Sequence, residues 1–185
     1  MSQSLPDRKT VRLCDYDYAE GEYFVTICTE GRVHYFGEIE HGEIQLTKIG
    51  EYLKMQIEIT EKLRVGAVEI PCYVIMPNHV HLIIIINARR DALNASGAPQ
   101  VDVPKTDARS ASLQFGPQRG NLASVIAGIK SAVTRFANEN NVIFAWQQRF
   151  YEHVVRSRTE MNRIAEYIEQ NPSNWATDEY NTDYV

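Results

Sequence analysis

Four apolar segments have the short length and the residue types of β-strands. Segment 22–29 (EYFVTICT) is filled with β-branched and aromatic residues, which favour strands. Segments 67–75 and 79–86 are joined by the tight sequence MPN and predict a strand pair, and 149–155 (RFYEHVV) predicts a fourth strand. Segment 79–86 is apolar at nearly every position beyond its second histidine, which indicates a central strand with both faces covered.

Three other segments place apolar residues at the spacing of an amphipathic helix. Segment 47–64 follows this pattern with Thr47 as its predicted N-cap, and segment 119–141 is the clearest case, with a continuous apolar stripe on one face. Segment 159–172 predicts a last helix that Thr159 caps and that its final proline ends.

The order of these elements predicts an α+β fold, a ferredoxin-like βαββαβ antiparallel sheet with an added C-terminal helix. Glycines within 31–46 predict a turn and a small hairpin before the first helix. Segment 88–118 is rich in Ala, Ser, Asp, Gly and Pro without periodicity, so we expect it to be a flexible insertion in a single domain spanning 1–185. This fold is shared by many unrelated proteins and does not specify a function.

Composition favours a cytoplasmic protein without a membrane anchor. The longest apolar run, 82–86, is far shorter than a bilayer span, and the polar first residues lack the apolar core of a secretory signal. The 3 cysteines form no CxxC pair, which fits a reducing compartment.

The charge distribution leaves room for a polyanionic partner. The formal net charge of −5 argues against nucleic acid when taken alone, because phosphate binding requires a basic surface. Segment 119–158, however, carries 6 Lys and Arg against 2 Glu, a net +4 that leaves −9 for the rest of the chain. A basic region on an acidic body is compatible with a localised polyanion site.

Two histidines stand at the start of the central strand. Because strand side chains alternate, His79 and His81 share one face, about 6.6 Å apart along the strand, and their imidazoles can converge on one cation. The alternative is that each is a hydrogen-bonded histidine at a strand end. A histidine-triad nucleotide hydrolase is a further alternative, but that class needs a third histidine where this chain has Ile83.

Two polar residues share one face of the predicted last helix. Tyr167 and Asn171 are at positions i and i+4. Periodicity alone favours the alternative that Tyr167 is a packing aromatic and Asn171 a helix stop.

Four motifs, MPNHVHLIII, GIKSAVTRF, WQQRFYEHVVR and RIAEYIEQNP, occur in the order found in the REP-associated tyrosine transposases, which the chain therefore resembles. The resemblance to these single-tyrosine HUH (His-hydrophobe-His) enzymes implies that His79, His81 and Asn171 bind a divalent metal ion, Mg²⁺ or Mn²⁺. It implies that Tyr167 is the nucleophile that cleaves single-stranded DNA near a hairpin and forms a covalent 5′-phosphotyrosine link, from which strand transfer follows.

The expected binding partner is single-stranded or hairpin DNA. The candidate assembly is a homodimer, in which Tyr167 acts either in its own subunit or in the other subunit. Trp146 and Tyr151 are candidates for stacking on bases. A non-catalytic binder of folded single-stranded DNA is the alternative function. The candidate phosphate-binding residues are Lys130, Arg135, Arg149, His153, Arg156 and Arg158.

Overall fold

The computed structural model describes residues 20–87 and 121–181. The predicted insertion at 88–118 lies outside the described residues, and so do both ends of the predicted domain. In chain order the elements are β1 (Gly21–Cys28), β2 (Gly37–Glu40), β3 (Glu43–Leu46), α1 (Lys48–Leu63), β4 (Val68–Met76), β5 (His79–Ile86), α2 (Leu122–Glu139), β6 (Tyr151–Val154) and α3 (Arg158–Gln170).

The main sheet has four strands in the order β4-β5-β1-β6, and every neighbouring pair is antiparallel. This is the ferredoxin-like arrangement that the order of elements predicts, with β2 and β3 as a separate hairpin before α1 and with α3 added at the end. The central position expected for segment 79–86 is confirmed, because β5 pairs with β4 on one side and β1 on the other.

One face of the sheet forms the apolar core. Val25, Leu82 and Ile84 point from β1 and β5 towards the apolar stripes of α1 and α2 and are fully buried. Burial of each such side chain contributes about 1.5–3 kcal/mol, so this face supplies most of the apolar stabilisation. The stripe predicted for α2 is confirmed by its buried residues Leu122, Val125, Ile126, Ile129 and Val133.

The opposite face of the sheet carries the polar residues of β5. Helix α3 covers the half of this face that β4 and β5 form. His79, His81 and Ile83 alternate with the core residues of β5 and are buried. Helix α3 packs against β4 and β5 and buries Ile168. This packing places the C-terminal end of α3 over the start of β5.

The cap of α1 is confirmed and the predicted cap of α3 is wrong. The Thr47 hydroxyl accepts a hydrogen bond from the Gly50 amide at 3.2 Å. Helix α3 begins at Arg158, and Ser157, not Thr159, is the N-cap, with its hydroxyl accepting from the Glu160 amide at 3.2 Å. Ser157 has the extended backbone that lets a hydroxyl turn back to the third helical amide, whereas Thr159 already lies inside the first turn.

None of the helices in the two described ranges is long and apolar enough to cross a membrane.

Two glycines in helices offer a matched test of the packing between α1 and the segment before it. A Cβ atom on Gly50 would lie 2.0 Å from the Phe36 carbonyl oxygen, whereas a Cβ atom on Gly128 would have no heavy atom within 4 Å. We expect Gly50→Ala to lower the free energy of unfolding by about 2–3 kcal/mol through overpacking. Gly128→Ala should raise it by about 0.5–1 kcal/mol, since alanine favours the helix. Urea unfolding followed by circular dichroism measures both, and equal effects would contradict the packing described.

Candidate active site

The two histidines of β5 form a buried pair at the start of the strand. The Nε2 atoms of His79 and His81 lie 3.1 Å apart, and the ring planes meet at 71°. Pairing with β1 sets this position, because His79 lies opposite Cys28 and His81 opposite Thr26. Both imidazoles therefore converge on one point at the end of the sheet that α3 reaches.

The protonated nitrogen of His79 is fixed by Asn78. The Asn78 side-chain amide donates to the carbonyl oxygens of Arg32 at 3.1 Å and Tyr180 at 2.8 Å. Its carbonyl oxygen therefore faces Nδ1 of His79 at 2.9 Å. Because that oxygen can only accept, Nδ1 of His79 must carry the proton, and Nε2 presents a lone pair.

His81 has a more permissive partner. Its Nδ1 atom lies 2.8 Å from the Thr26 hydroxyl, which can donate or accept a hydrogen bond. With the proton on Nδ1, the two Nε2 lone pairs face each other at 3.1 Å and repel unless a proton or a cation lies between them. With the proton on Nε2 instead, His81 donates a hydrogen bond to Nε2 of His79, so the first tautomer is the one that can hold a cation between the two rings.

The separation of the two nitrogens fits a metal ion. Two nitrogen ligands at about 2.1 Å from an ion and at a right angle to each other lie about 3.0 Å apart. Across residues 20–87 and 121–181 no group of three His, Cys, Asp or Glu side chains could complete such a site. A third protein ligand from the described residues would have to be a neutral oxygen.

Helix α3 brings the phenol of Tyr167 to the histidine pair, and Asn171 follows one turn later on the same helix face. The Tyr167 hydroxyl lies 3.3 Å from Nε2 of His81, and the Tyr167 side chain is 44% exposed. Asn171 keeps helical backbone angles although a proline follows, so its side chain continues the helix face of Tyr167. The Oδ1 atom of Asn171 is buried and has no hydrogen-bond partner among residues 20–87 and 121–181, which costs about 1–3 kcal/mol when nothing binds it. This neutral oxygen has the chemistry required of a third ligand.

Burial sets the charge states at the site. Desolvation, followed by the charge of His81, holds the pKa of His79 well below its usual range. Desolvation also lowers the pKa of His81 to about 3, so both imidazoles are neutral at physiological pH and able to bind a cation. Burial and the nearby Asp178 carboxylate raise the pKa of Tyr167, while a hydrogen bond from the Asn171 side chain acts in the opposite direction. Tyr167 is therefore protonated in the absence of a positive charge.

The segment after α3 covers the pair. The Tyr180 ring lies 4.5 Å from the His79 ring, and the Arg32 guanidinium lies 4.1 Å from the Tyr180 ring centroid. Sequence reasoning missed Asn78, Arg32 and Tyr180, since it treated Asn78 only as a turn residue. The sequence does place the side-chain amide of Asn78 directly before His79, and such an amide can fix the tautomer of a neighbouring histidine.

Three of the six predicted phosphate-binding residues lie at the start of α3. His153 of β6 contacts Glu160 through Nε2 and Oε1 at 2.8 Å, and the second Glu160 oxygen accepts from the Arg156 amide at 2.8 Å. The hydrogen bond from the Arg156 amide is the main cause of the lowered pKa of Glu160, followed by that from His153. The side chains of Arg156 and Arg158 are exposed beside this cluster.

The other three lie elsewhere. Lys130 and Arg135 line an open groove of about 520 Å³ on α2, in the layer on the other side of the sheet. Lys130 is half-buried and its Nζ donates to the Gln147 carbonyl oxygen at 2.7 Å. Burial lowers the pKa of Lys130. Arg149 is exposed on the segment before β6, so the six residues do not form one continuous surface.

The buried histidines predict a specific pH dependence of stability. The pKa of His81 is about 3 in the folded protein against 6.5 as the ordinary value, so the unfolded chain binds more protons between these limits. Stability should therefore fall as the pH drops below 6.5, with His81 contributing about 2 kcal/mol of the loss by pH 5. Urea unfolding in EDTA at pH 7 and pH 5 should show a smaller drop in His81→Gln than in the wild type. Equal drops would contradict the burial of a neutral imidazole.

The comparisons with known proteins agree with the fold. No family model matches the sequence. The structure of a REP-associated tyrosine transposase bound to a REP hairpin matches with a TM-score of 0.54 at 19% identity, covering 97% of this chain and 77% of that one, which shows a shared fold. An uncharacterized protein of Haemophilus influenzae Rd is 35% identical over 182 residues, covering 95% of this chain and 94% of its own length. The chain therefore belongs to the same protein family as this Haemophilus influenzae protein, with the fold of a REP-associated tyrosine transposase.

Proposed function

We propose that the protein is a metal-dependent single-stranded DNA endonuclease and strand transferase that acts near DNA hairpins through a covalent 5′-phosphotyrosine intermediate. The observation that carries the proposal is the position of the Tyr167 hydroxyl, 3.3 Å from Nε2 of His81 at the edge of a buried histidine pair. The Tyr167 side chain is partly exposed at the surface, and its hydroxyl contacts the buried imidazole of His81.

Three side chains would hold the divalent metal ion. His79 and His81 offer Nε2 atoms at the separation of adjacent ligands, and Asn171 offers an oxygen that no group in the described part of the chain satisfies. When bound, a divalent ion polarises the phosphoryl oxygen and neutralises the charge that develops there. The imidazole and amide donors suit Mn²⁺ or another first-row ion, and Mg²⁺ would have to keep several water ligands there. Asn78 would keep the His79 lone pair directed at the ion.

Tyr167 would act as the nucleophile. Its oxygen forms a bond to phosphorus, the bond from phosphorus to the 3′ oxygen breaks, and the released 3′ oxygen takes up a proton. The phosphotyrosine is a phosphodiester like the one cleaved, so a 3′ hydroxyl of another strand can reverse the step without ATP. After burial, the Asp178 carboxylate is the main cause of the raised pKa of Tyr167, so the phenol needs the field of a bound cation to lose its proton.

The DNA partner is supported by charge and by the shared fold. Arg156 and Arg158 are exposed at the start of α3, the helix that carries Tyr167, where they could hold the backbone of an incoming strand. The structural neighbour of the same fold is bound to a REP hairpin.

A non-catalytic binder of folded single-stranded DNA is the second candidate. It is favoured by the complete burial of the two imidazoles and by the Tyr180 ring, which packs against His79 at a tilt of 38°. The two functions differ in one measurement. A binder leaves the strand intact at every Mn²⁺ concentration, whereas the proposed enzyme releases a fragment with a 3′ hydroxyl.

Removal of the Tyr167 hydroxyl tests the nucleophile. We expect Tyr167→Phe to lower the yield of covalent protein–DNA adduct by about 10³-fold or more, with hairpin binding retained, since only one oxygen is lost. The measurement uses 3′-labelled single-stranded hairpin oligonucleotides from the source genome with Mn²⁺ and a denaturing gel. Tyr52→Phe is the matched control, because Tyr52 stacks on Phe136 in the other layer, and it should form normal adduct. An adduct that persists in Tyr167→Phe excludes this tyrosine.

Substitution of Asn171 tests the third ligand without DNA. We expect Asn171→Leu to weaken Mn²⁺ binding by about tenfold or more, because the replacement has no donor atom. Asn171→Asp keeps an oxygen in place and should bind Mn²⁺ at least as tightly as the wild type. Calorimetric titration with MnCl₂ measures both. His81→Ala should lose binding altogether, and equal affinity of Asn171→Leu and the wild type would remove Asn171 from the site.

A further inference from the structure

A second group of aromatic rings lies on the half of the sheet face that α3 leaves uncovered. Helix α3 packs over β4 and β5, whereas β1 and β6 continue the same face beyond it. The register places Phe24 opposite His153 and Thr26 opposite Tyr151, so Phe24 and Tyr151 point to the side of the sheet that carries His81. The open half of the face is therefore aromatic next to the candidate active site.

Phe24 connects this group to the nucleophile. Its ring centroid lies 6.2 Å from that of Tyr151 and 6.2 Å from that of Tyr167, both in edge-to-face geometry. It also stacks on the His81 ring at 5.3 Å. Tyr151 is 46% exposed and Tyr167 is 44% exposed, so ring surface faces solvent on both sides of Phe24. We name Tyr151, Phe24 and Tyr167 the aromatic row.

The aromatic row is suited to stacking against an unpaired nucleobase. Every nucleobase has a flat π-face that stacks on an aromatic ring, and such stacking does not depend on sequence. A strand with a phosphate at Tyr167 must extend in one direction over α3 and in the other over the β6 side of the face. The β6 side offers the ring of Tyr151 for the base, with the exposed Arg156 close by in sequence for the backbone.

Of the two stacking candidates from the sequence, the structure favours Tyr151. Trp146 donates its indole N–H to the Lys130 carbonyl oxygen at 3.1 Å, and its ring packs against Phe36 and Phe144. Trp146 is therefore a packing residue of the core, between helix α2 and the segment that precedes β6. Tyr151 has half of its surface in solvent and is linked through one ring to Tyr167.

We propose that Tyr151, backed by Phe24, is a base-stacking site for an unpaired nucleotide next to the phosphate that Tyr167 attacks. This inference rests on the proposed function and adds a binding contact to it. Tyr151 touches the base and takes no part in the bond changes. It holds the strand so that the phosphate meets the Tyr167 oxygen.

The experiment uses single-stranded hairpin oligonucleotides with 2-aminopurine at one unpaired position each, whose fluorescence falls on stacking. The full chain carrying Tyr167→Phe binds without cleavage, and we expect quenching at one or two adjacent positions. Adding Tyr151→Val, or Tyr151→Leu as a second variant, should abolish the quenching and weaken binding about 5- to 100-fold. Tyr151→Phe keeps the ring and should retain both signals. Ile143→Ala, at an exposed position on another loop, is the control.

Adduct formation by chains with Tyr167 intact separates the two proposals. If the wild type forms adduct and Tyr151→Val changes neither quenching nor the DNA concentration for half-maximal rate, the stacking site is wrong and the nuclease stands. If the wild type forms no adduct but quenching depends on Tyr151, the nuclease is wrong and the stacking site stands. Failure to bind any of the oligonucleotides overturns both. A purely structural Tyr151 would lower the free energy of unfolding in Tyr151→Val and leave the quenching unchanged.

Discussion

The two-residue alternation of β5 at the centre of the sheet is the constraint on which the rest of the molecule depends. Val80, Leu82 and Ile84 point into the core under α1 and α2, while His79 and His81 point to the other face. A shift of the strand by one residue would place imidazoles in the core and leucine at the site. Pairing on both sides opposes such a shift, so the same hydrogen bonds that stabilise the sheet also set the geometry of the candidate active site.

Burial of polar groups is expensive, and the partners of these groups indicate what the site is for. Asn78 satisfies two backbone carbonyls and one imidazole, and Thr26 satisfies the second imidazole. Among the described residues, the buried Oδ1 atom of Asn171 has no such partner, and neither does Nε2 of His34. An unsatisfied amide oxygen on the helix that carries Tyr167 is the reason Asn171 enters the proposed metal site.

The proposed chemistry and the aromatic row share one structural cause, the incomplete cover of the sheet by α3. Where the helix lies over β4 and β5 it brings the Tyr167 hydroxyl to His81. Where it stops short, Tyr151 of β6 is exposed to solvent and Phe24 of β1 is only partly buried. A single helix thus separates a buried, charge-sensitive centre from an open aromatic surface suited to an unpaired strand.

The helices and strands could be predicted from the sequence, because apolar periodicity and capping depend only on residues a few positions apart. Local patterns predict strand β5, the helices and the Thr47 cap. The predicted cap of α3 was wrong because serine and threonine are both good N-caps, and only the backbone angles distinguish Ser157 from Thr159. Tertiary structure alone decided that Asn78 fixes the tautomer of His79 and that Tyr151 is linked to Tyr167 through Phe24. These contacts join residues brought together by strand register and helix packing, which depend on the whole chain and not on any short segment.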